Sequence, residues 1–156
     1  MKSLLLTILT AVLCYQVVAQ IDNPEAEAVL ITKLGDEYLR AGEYEMAIYY
    51  YRNALKIYPG YVKTQFQLAQ CYRLSLNADS AAHHYKAIID NDQDRRYPMS
   101  RYHLAMMQLD NNDHKSAEAN LLTFQRVLFD NRLHELKKYR DFYRQASLEI
   151  DKLKSK

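Results

Sequence analysis

Asp90, Asp92 and Asp94 stand at alternate positions in "DNDQD", the spacing with which an EF-hand calcium loop begins. Such a loop needs glycine at its sixth position and glutamate at its twelfth, and here those places hold Arg95 and Arg101. The match fails, and the segment reads as a polar helix end followed by a loop. The histidines are His83, His84, His103, His114 and His134, and no two of them form an HxxxH or HExxH pair. Adjacent His83 and His84 point to different sides of a helix, a poor shared metal site. Only Gly35, Gly42 and Gly60 are glycine, too few for a phosphate-cradling loop. No serine sits in a nucleophile elbow, and paired carboxylates fall on helix faces expected to be exposed. The sequence therefore predicts no catalytic residue, cofactor or metal, and a non-enzymatic protein. The chemistry left is recognition.

The first residues, "MKSLLLTILTAVLCYQVVAQ", have the make-up of an export signal rather than of a fold. Lys2 is the positive start, Leu4 to Leu13 is an apolar run too short to span a bilayer, and "VVAQ" invites cleavage after Ala19. The expected mature chain starts at Gln20, exported to the periplasm or held at the outer membrane. The alternative is a lipoprotein anchored through Cys14, but Leu13 occupies a place where such signals want a small residue. After cleavage one cysteine remains, Cys71, so no internal disulfide forms. Its setting, "LAQCYRL", is that of a small buried hydrophobe.

The chain of 156 residues holds one modest domain. A formal net charge of +2 is too small to argue for nucleic acid. The distribution is uneven, since residues 131–156 carry 8 basic and 4 acidic side chains, a basic tail on a slightly acidic body. Tyrosine is abundant, with 14 copies against 4 phenylalanines and no tryptophan. Three of them, Tyr49, Tyr50 and Tyr51, run together in "GEYEMAIYYYRNALKIYP".

An internal repeat explains that stretch. "KLGDEY" (33–38), "QLAQCY" (67–72) and "HLAMMQ" (103–108) align, so that Leu34, Leu68 and Leu104 coincide, as do Gly35, Ala69 and Ala105. Ala47, Ala81 and Ala117 recur at the same offsets, each followed four residues later by Tyr51, Tyr85 or Leu121. A period of about 34 residues built from two helices resembles the tetratricopeptide repeat, TPR. The expectation is an all-α fold, a TPR solenoid of three helix-turn-helix repeats (28–61, 62–95, 98–131) after a short lead-in (20–27), ending in a long capping helix (132–156). Gly35, Ala47 and Ala54 allow the two helices of a repeat to cross closely, while Ile31, Leu34, Tyr38 and Tyr51 fill the spaces beside the crossing. Gly42 supplies the turn, Pro59 ends the second helix, and Tyr49 and Tyr50 should be partly exposed. The second repeat has Ile88 where alanine is usual; the third has Gln108 and Phe124 where an aromatic and an alanine are usual. In the last helix, Leu136, Tyr139, Tyr143, Ala146, Ile150 and Leu153 form one apolar stripe. Capping the open end of the third repeat is its expected role, and pairing between two copies is the alternative.

Such stacks bind partners through the concave face lined by their first helices. Projecting the repeat gives Thr32, Asp36, Leu39, Lys63, Phe66, Gln70, Arg73, Met99, Tyr102 and Met106 as the groove expected to hold a protein or peptide. Phe66 and Tyr102 are large rings that the packing positions do not require, so they should anchor a partner and contribute little to folding. Lys63 and Arg73 suit carboxylates or peptide carbonyls. The lysine and asparagine arrangement of co-chaperones that clamp a C-terminal carboxylate is missing; Thr32, Asp36, Gln67 and Met99 stand there instead.

The chain from residue 20 onward resembles the N-terminal TPR region of envelope proteins from Bacteroidetes-type bacteria. Carrying the likeness are "GEYEMAIYYYRNALKIYPGYVKTQFQLAQCYRL", "YPMSRYHLAMM" and "FYRQASLEIDKL". In that family a signal peptide and TPR repeats precede a β-propeller and a peptidoglycan-binding OmpA-like domain, and some members serve type IX secretion and gliding. The resemblance implies a periplasmic scaffold near the outer membrane. This sequence stops at Lys156, where the family continues, so a wall-binding role is not carried over.

Overall fold

The computed structural model describes Ile8 and residues 23–155. Ile8 aside, the expected export segment, Cys14 included, lies outside the described residues. Seven α-helices and one 3-10 turn follow one another, with no strand among the described residues. They are α1 (Pro24–Ala41), α2 (Tyr44–Ile57), α3 (Val62–Leu74), α4 (Ala78–Asp90), α5 (Met99–Asp110), α6 (His114–Asp130), the 3-10 turn Leu133–Glu135 and α7 (Lys137–Lys154).

Local sequence sets most of these boundaries. The Asn23 side chain accepts the amides of Glu25 and Ala26 at 3.0 and 3.2 Å, and Pro24 occupies the first turn, where its missing N–H costs nothing. Asn77 caps α4 through Ser80 N, and Asp113 caps α6 through Ser116 N. Pro59 follows α2, and Tyr58 before it has left the helical region (φ −133°, ψ 86°).

The three hairpin turns share one geometry. Gly42, Leu76 and Asn112 all take positive φ (80°, 62° and 61°), and each donates its amide to the carbonyl three residues back. The next amide bonds the carbonyl five residues back, which completes a Schellman motif. Glycine adopts that conformation freely, whereas Leu76 and Asn112 hold it against steric cost. The expected glycine turn is thus the first of three equivalent turns, and the other two lack the glycine.

Each hairpin packs on the next. Gly35 is buried at its crossing, where an added Cβ would stand 2.5 Å from Tyr51 Cε1. Ala47, Ala54, Ala69, Ala81, Ala105 and Ala117 are likewise fully buried. Ala54, Ile88 and Phe124 occupy one repeat position and are all sealed from solvent, so the side chain filling it grows along the stack. The core runs as three linked clusters. Tyr51 lies with Leu68 and Cys71, Tyr85 with Leu104 and Met107, and Phe124 with Leu128 and Ile150. The first two clusters each span two neighbouring hairpins and the last joins the third hairpin to α7, as in a one-dimensional stack. Burial pushes the Cys71 thiol up to about 12, so it is an inert core residue.

Two sequence expectations need correction. Leu34 was placed beside the helix crossing, yet it is 44% exposed, while its equivalents Leu68 and Leu104 are 1% and 9% exposed. Those two pack against the hairpin before them, and among the described residues no hairpin precedes α1. The expected helix 132–156 begins instead at Lys137, because Arg132 (φ 54°) breaks the chain direction and Leu136 is extended and exposed. Downstream, Ala146 and Ile150 are buried against the third hairpin, with Tyr139 and Tyr143 packed alongside. Phe142, outside the expected stripe, packs there too.

Where the third repeat lacks its aromatic, a polar chain fills the space. Asp94 is buried and accepts Arg101 Nε at 2.5 Å. Arg101 Nη1 donates to Asn120 Oδ1, and Asn120 Nδ2 donates to Gln108 Oε1. Arg101, one of the two arginines that spoil the calcium-loop pattern, is the partner of that pattern's third aspartate.

Candidate functional site

The first helices of the hairpins, α1, α3 and α5, place the expected groove residues. At the α1–α3 junction Asp36 is the hub. Its carboxylate accepts Tyr51 Oη at 2.7 Å, Lys63 Nζ at 3.0 Å and Gln67 Nε2 at 3.2 Å. Burial pushes the Asp36 carboxyl up, but these three donors outweigh it and hold it below the usual 3.8. Tyr51 moves the other way, its phenol raised by burial and by the bond to Asp36. Lys63 is raised through the same ion pair, so the cation expected to face a partner is already engaged.

Thr32 is not on the open face. It is fully buried, its hydroxyl donating to Ala28 O at 2.7 Å and lying 2.6 Å from Thr64 Oγ1. Here a small residue lets α1 and α3 approach, which is a packing role. Leu39 is partly buried against the first core cluster.

At the α3–α5 junction the pattern changes. Gln70 occupies the place that Asp36 holds in the first repeat, and its Oε1 accepts Arg73 Nε and Nη2 at 3.1 and 2.9 Å. Tyr85, equivalent to Tyr51, is fully buried, and its hydroxyl proton has no acceptor among the described residues. Burial raises its phenol, and the Arg73 guanidinium beside it draws it partly back. His103 stacks on Tyr85 with ring centres 5.4 Å apart. Burial, helped by Arg73, holds that imidazole down to about 3, so it is neutral at ordinary pH.

The two rings expected to anchor a partner are both engaged in packing. Tyr102 is only 8% exposed and packs against Phe124 and Phe142 at 5.4 and 5.1 Å. Phe66 meets Tyr85 at 6.1 Å and Tyr97 at 5.3 Å. Each packs against the second helix of its own hairpin and against the segment beyond, Tyr97 for Phe66 and the capping helix for Tyr102, so both take part in the packing that the sequence reading did not assign them. Met99 and Met106 rest partly buried on the third cluster.

A cleft of about 430 Å³ lies across α3, α5 and α7. Arg73 and Asp110 provide its charge; Leu76, Met106, Met107, Tyr102 and Phe142 provide its apolar wall, with His103 between. Arg73, Tyr102 and Met106 come from the sequence reading. Leu76, His103 and Phe142 escaped it, because a turn residue, a stacked imidazole and a capping helix carry no repeat signal. Among the described residues, no cluster of three metal-ligating side chains exists and no helix is long and apolar enough to cross a membrane.

Residues 38–101 match the tetratricopeptide repeat family model. The fold is a TPR solenoid. The type III secretion chaperone SycD of Yersinia enterocolitica, solved with a peptide of the translocator YopD, superposes with a TM-score of 0.69 at 18% identity over 86% of this chain and 95% of that one. The Sgt2 TPR domain of Aspergillus fumigatus gives 0.64 at 19% identity, covering 83% of each chain. The second TPR domain of human RPAP3, solved with the HSP70 peptide SGPTIEEVD, gives 0.63 at 21% identity over 86% of this chain and all of that one. At these identities the likeness is one of TPR fold. None of the curated proteins matches the chain by sequence.

Proposed function

We propose that this chain is a non-catalytic adaptor that holds a peptide or protein segment along the face formed by α3, α5 and α7. The cleft carries the reading, since it joins an apolar wall to an arginine that forms no ion pair among the described residues. Two TPR proteins of the same fold, SycD and the RPAP3 domain, were solved with peptides bound. The setting we propose is the bacterial envelope, periplasmic or at the outer membrane, in a secretion or wall-associated assembly. The make-up of residues 1–19 and the resemblance to Bacteroidetes-type TPR envelope proteins support it.

A photo-crosslinking residue placed at Met106 in the cleft, and in a second protein at Lys86 on the outer helix α4, tests this in cells. The expected result is one discrete adduct from position 106, absent from position 86 and enriched in the envelope fraction. Identical adducts from both positions would remove the cleft as the binding face, and adducts confined to the cytoplasm would remove the envelope setting.

A further inference from the structure

We propose that a glutamate or aspartate side chain of an acidic peptide partner enters beside Arg73 on the cleft wall and reaches the hydroxyl of Tyr85, which is buried and stacked on the cleft's His103. The inference rests on the adaptor reading and adds the chemistry of what is held.

The argument is a comparison of the molecule with itself. Tyr51 and Tyr85 are one repeat apart, as are Asp36 and Gln70. At the first junction the tyrosine hydroxyl ends on a carboxylate supplied by the chain, Asp36. At the second the chain supplies an amide instead, and that amide turns to Arg73. Tyr85 is left buried beside the Arg73 guanidinium, which can only donate, so its phenol proton has no acceptor, an arrangement that folding alone disfavours, since phenylalanine would fill the same volume. Arg73 stands beside it, and no carboxylate lies within 4.0 Å of its guanidinium among the described residues. A carboxylate displacing the Gln70 amide would meet the planar fork of Arg73 with two oxygens and offer an acceptor to Tyr85. It would restore at the second junction what Asp36 provides at the first.

A second observation shapes the partner. Leu76 is 91% exposed and holds positive φ on the lip of the same cleft. A strained, solvent-facing leucine at a turn has no folding rationale, and it extends the apolar wall formed by Met106 and Phe142. The acidic residue therefore has an apolar neighbour in the partner. Asp110 also lines the cleft, and its charge disfavours a second carboxylate there.

The test uses the full chain and two pools of acetylated, amidated peptides, random except for a central Glu–Leu pair or its Gln–Leu counterpart. A third pool has Gln–Leu with a free C-terminal carboxylate. Wild type should retain the Glu pool at least about tenfold more tightly than the Gln pool, as one charge-assisted pair warrants. Tyr85→Phe, which keeps the ring, and Arg73→Met should each lose that preference. Gln70→Asp should lose it too, because it restores the internal carboxylate, and should melt at a higher temperature than wild type. Equal retention of the Glu and Gln pools, with binding still abolished by Met106→Asp, would sink the carboxylate site and leave the adaptor standing. Preference for the free C-terminus overturns the side-chain assignment. No retention of any pool overturns both readings.

Discussion

Two tyrosines one repeat apart make opposite statements about stability. Tyr51 donates to Asp36, so Tyr51→Phe should cost about 1.5–3 kcal/mol in denaturant melts, the usual loss for a bond to a charged group. Tyr85→Phe removes a buried hydroxyl whose proton has no acceptor and should leave the midpoint unchanged or raise it. If both variants lose equally, Tyr85 has an acceptor within the fold. Acid sensitivity also follows from single residues. Asp36 is held below 3.8, so its contribution is complete above that value and is lost as pH falls through its lower folded value. His103 is neutral in the fold down to about 3, while an unfolded histidine takes its proton near 6.5. Below 6.5 the unfolded chain therefore binds the extra proton, and stability declines as pH drops toward 3. Urea midpoints measured from pH 7 downward should show that slope, and His103→Gln should flatten it.

At the scale of elements, the hairpins depend on close crossings and strained turns. Gly35→Ala would push a methyl into the Tyr51 ring and should destabilise by about 1–3 kcal/mol, the range for an overpacked core. Leu76→Gly relieves a left-handed turn and should stabilise by about 1 kcal/mol, the order of the αL penalty. The same substitution should weaken peptide retention, so stability and binding would move in opposite directions. A leucine whose loss improves the fold but harms binding is a functional residue, and thermal melts beside a binding isotherm separate the two effects.

The whole molecule is a stack whose ends differ. At the C-terminal end α7 seals Phe124, Leu128 and Tyr102 through Ala146, Ile150 and Phe142. At the N-terminal end Leu30, Leu34 and Tyr49 remain open among the described residues. Because each hairpin touches only its neighbours, damage should stay local. Ala146→Glu places a charge in a fully buried site and should raise amide exchange in α5, α6 and α7 first, with α1 and α2 following only at global unfolding. Uniform loss of protection along the chain would show a single cooperative unit instead.

The sequence by itself determined the helical hairpins, their close contacts and their order. Leucines and alanines recurring at near-constant offsets state which faces are buried, and that periodicity is a local property of the chain. The stretch that contains the tyrosine run reads correctly as architecture, with Tyr51 sealed and Tyr49 exposed. The groove was legible only in part. Thr32 and Tyr102 lie at positions that a projected repeat turns outward, and each is covered by a neighbour that the projection ignores: Thr64 of the next hairpin for one, Phe142 of the capping helix for the other. Lys63 looked free until Asp36, 27 residues earlier, was brought within 3.0 Å. Tertiary structure alone decided these points, because burial and hydrogen-bond satisfaction belong to pairs of residues on different helices. A one-dimensional period specifies each helix face but not what the next helix places against it.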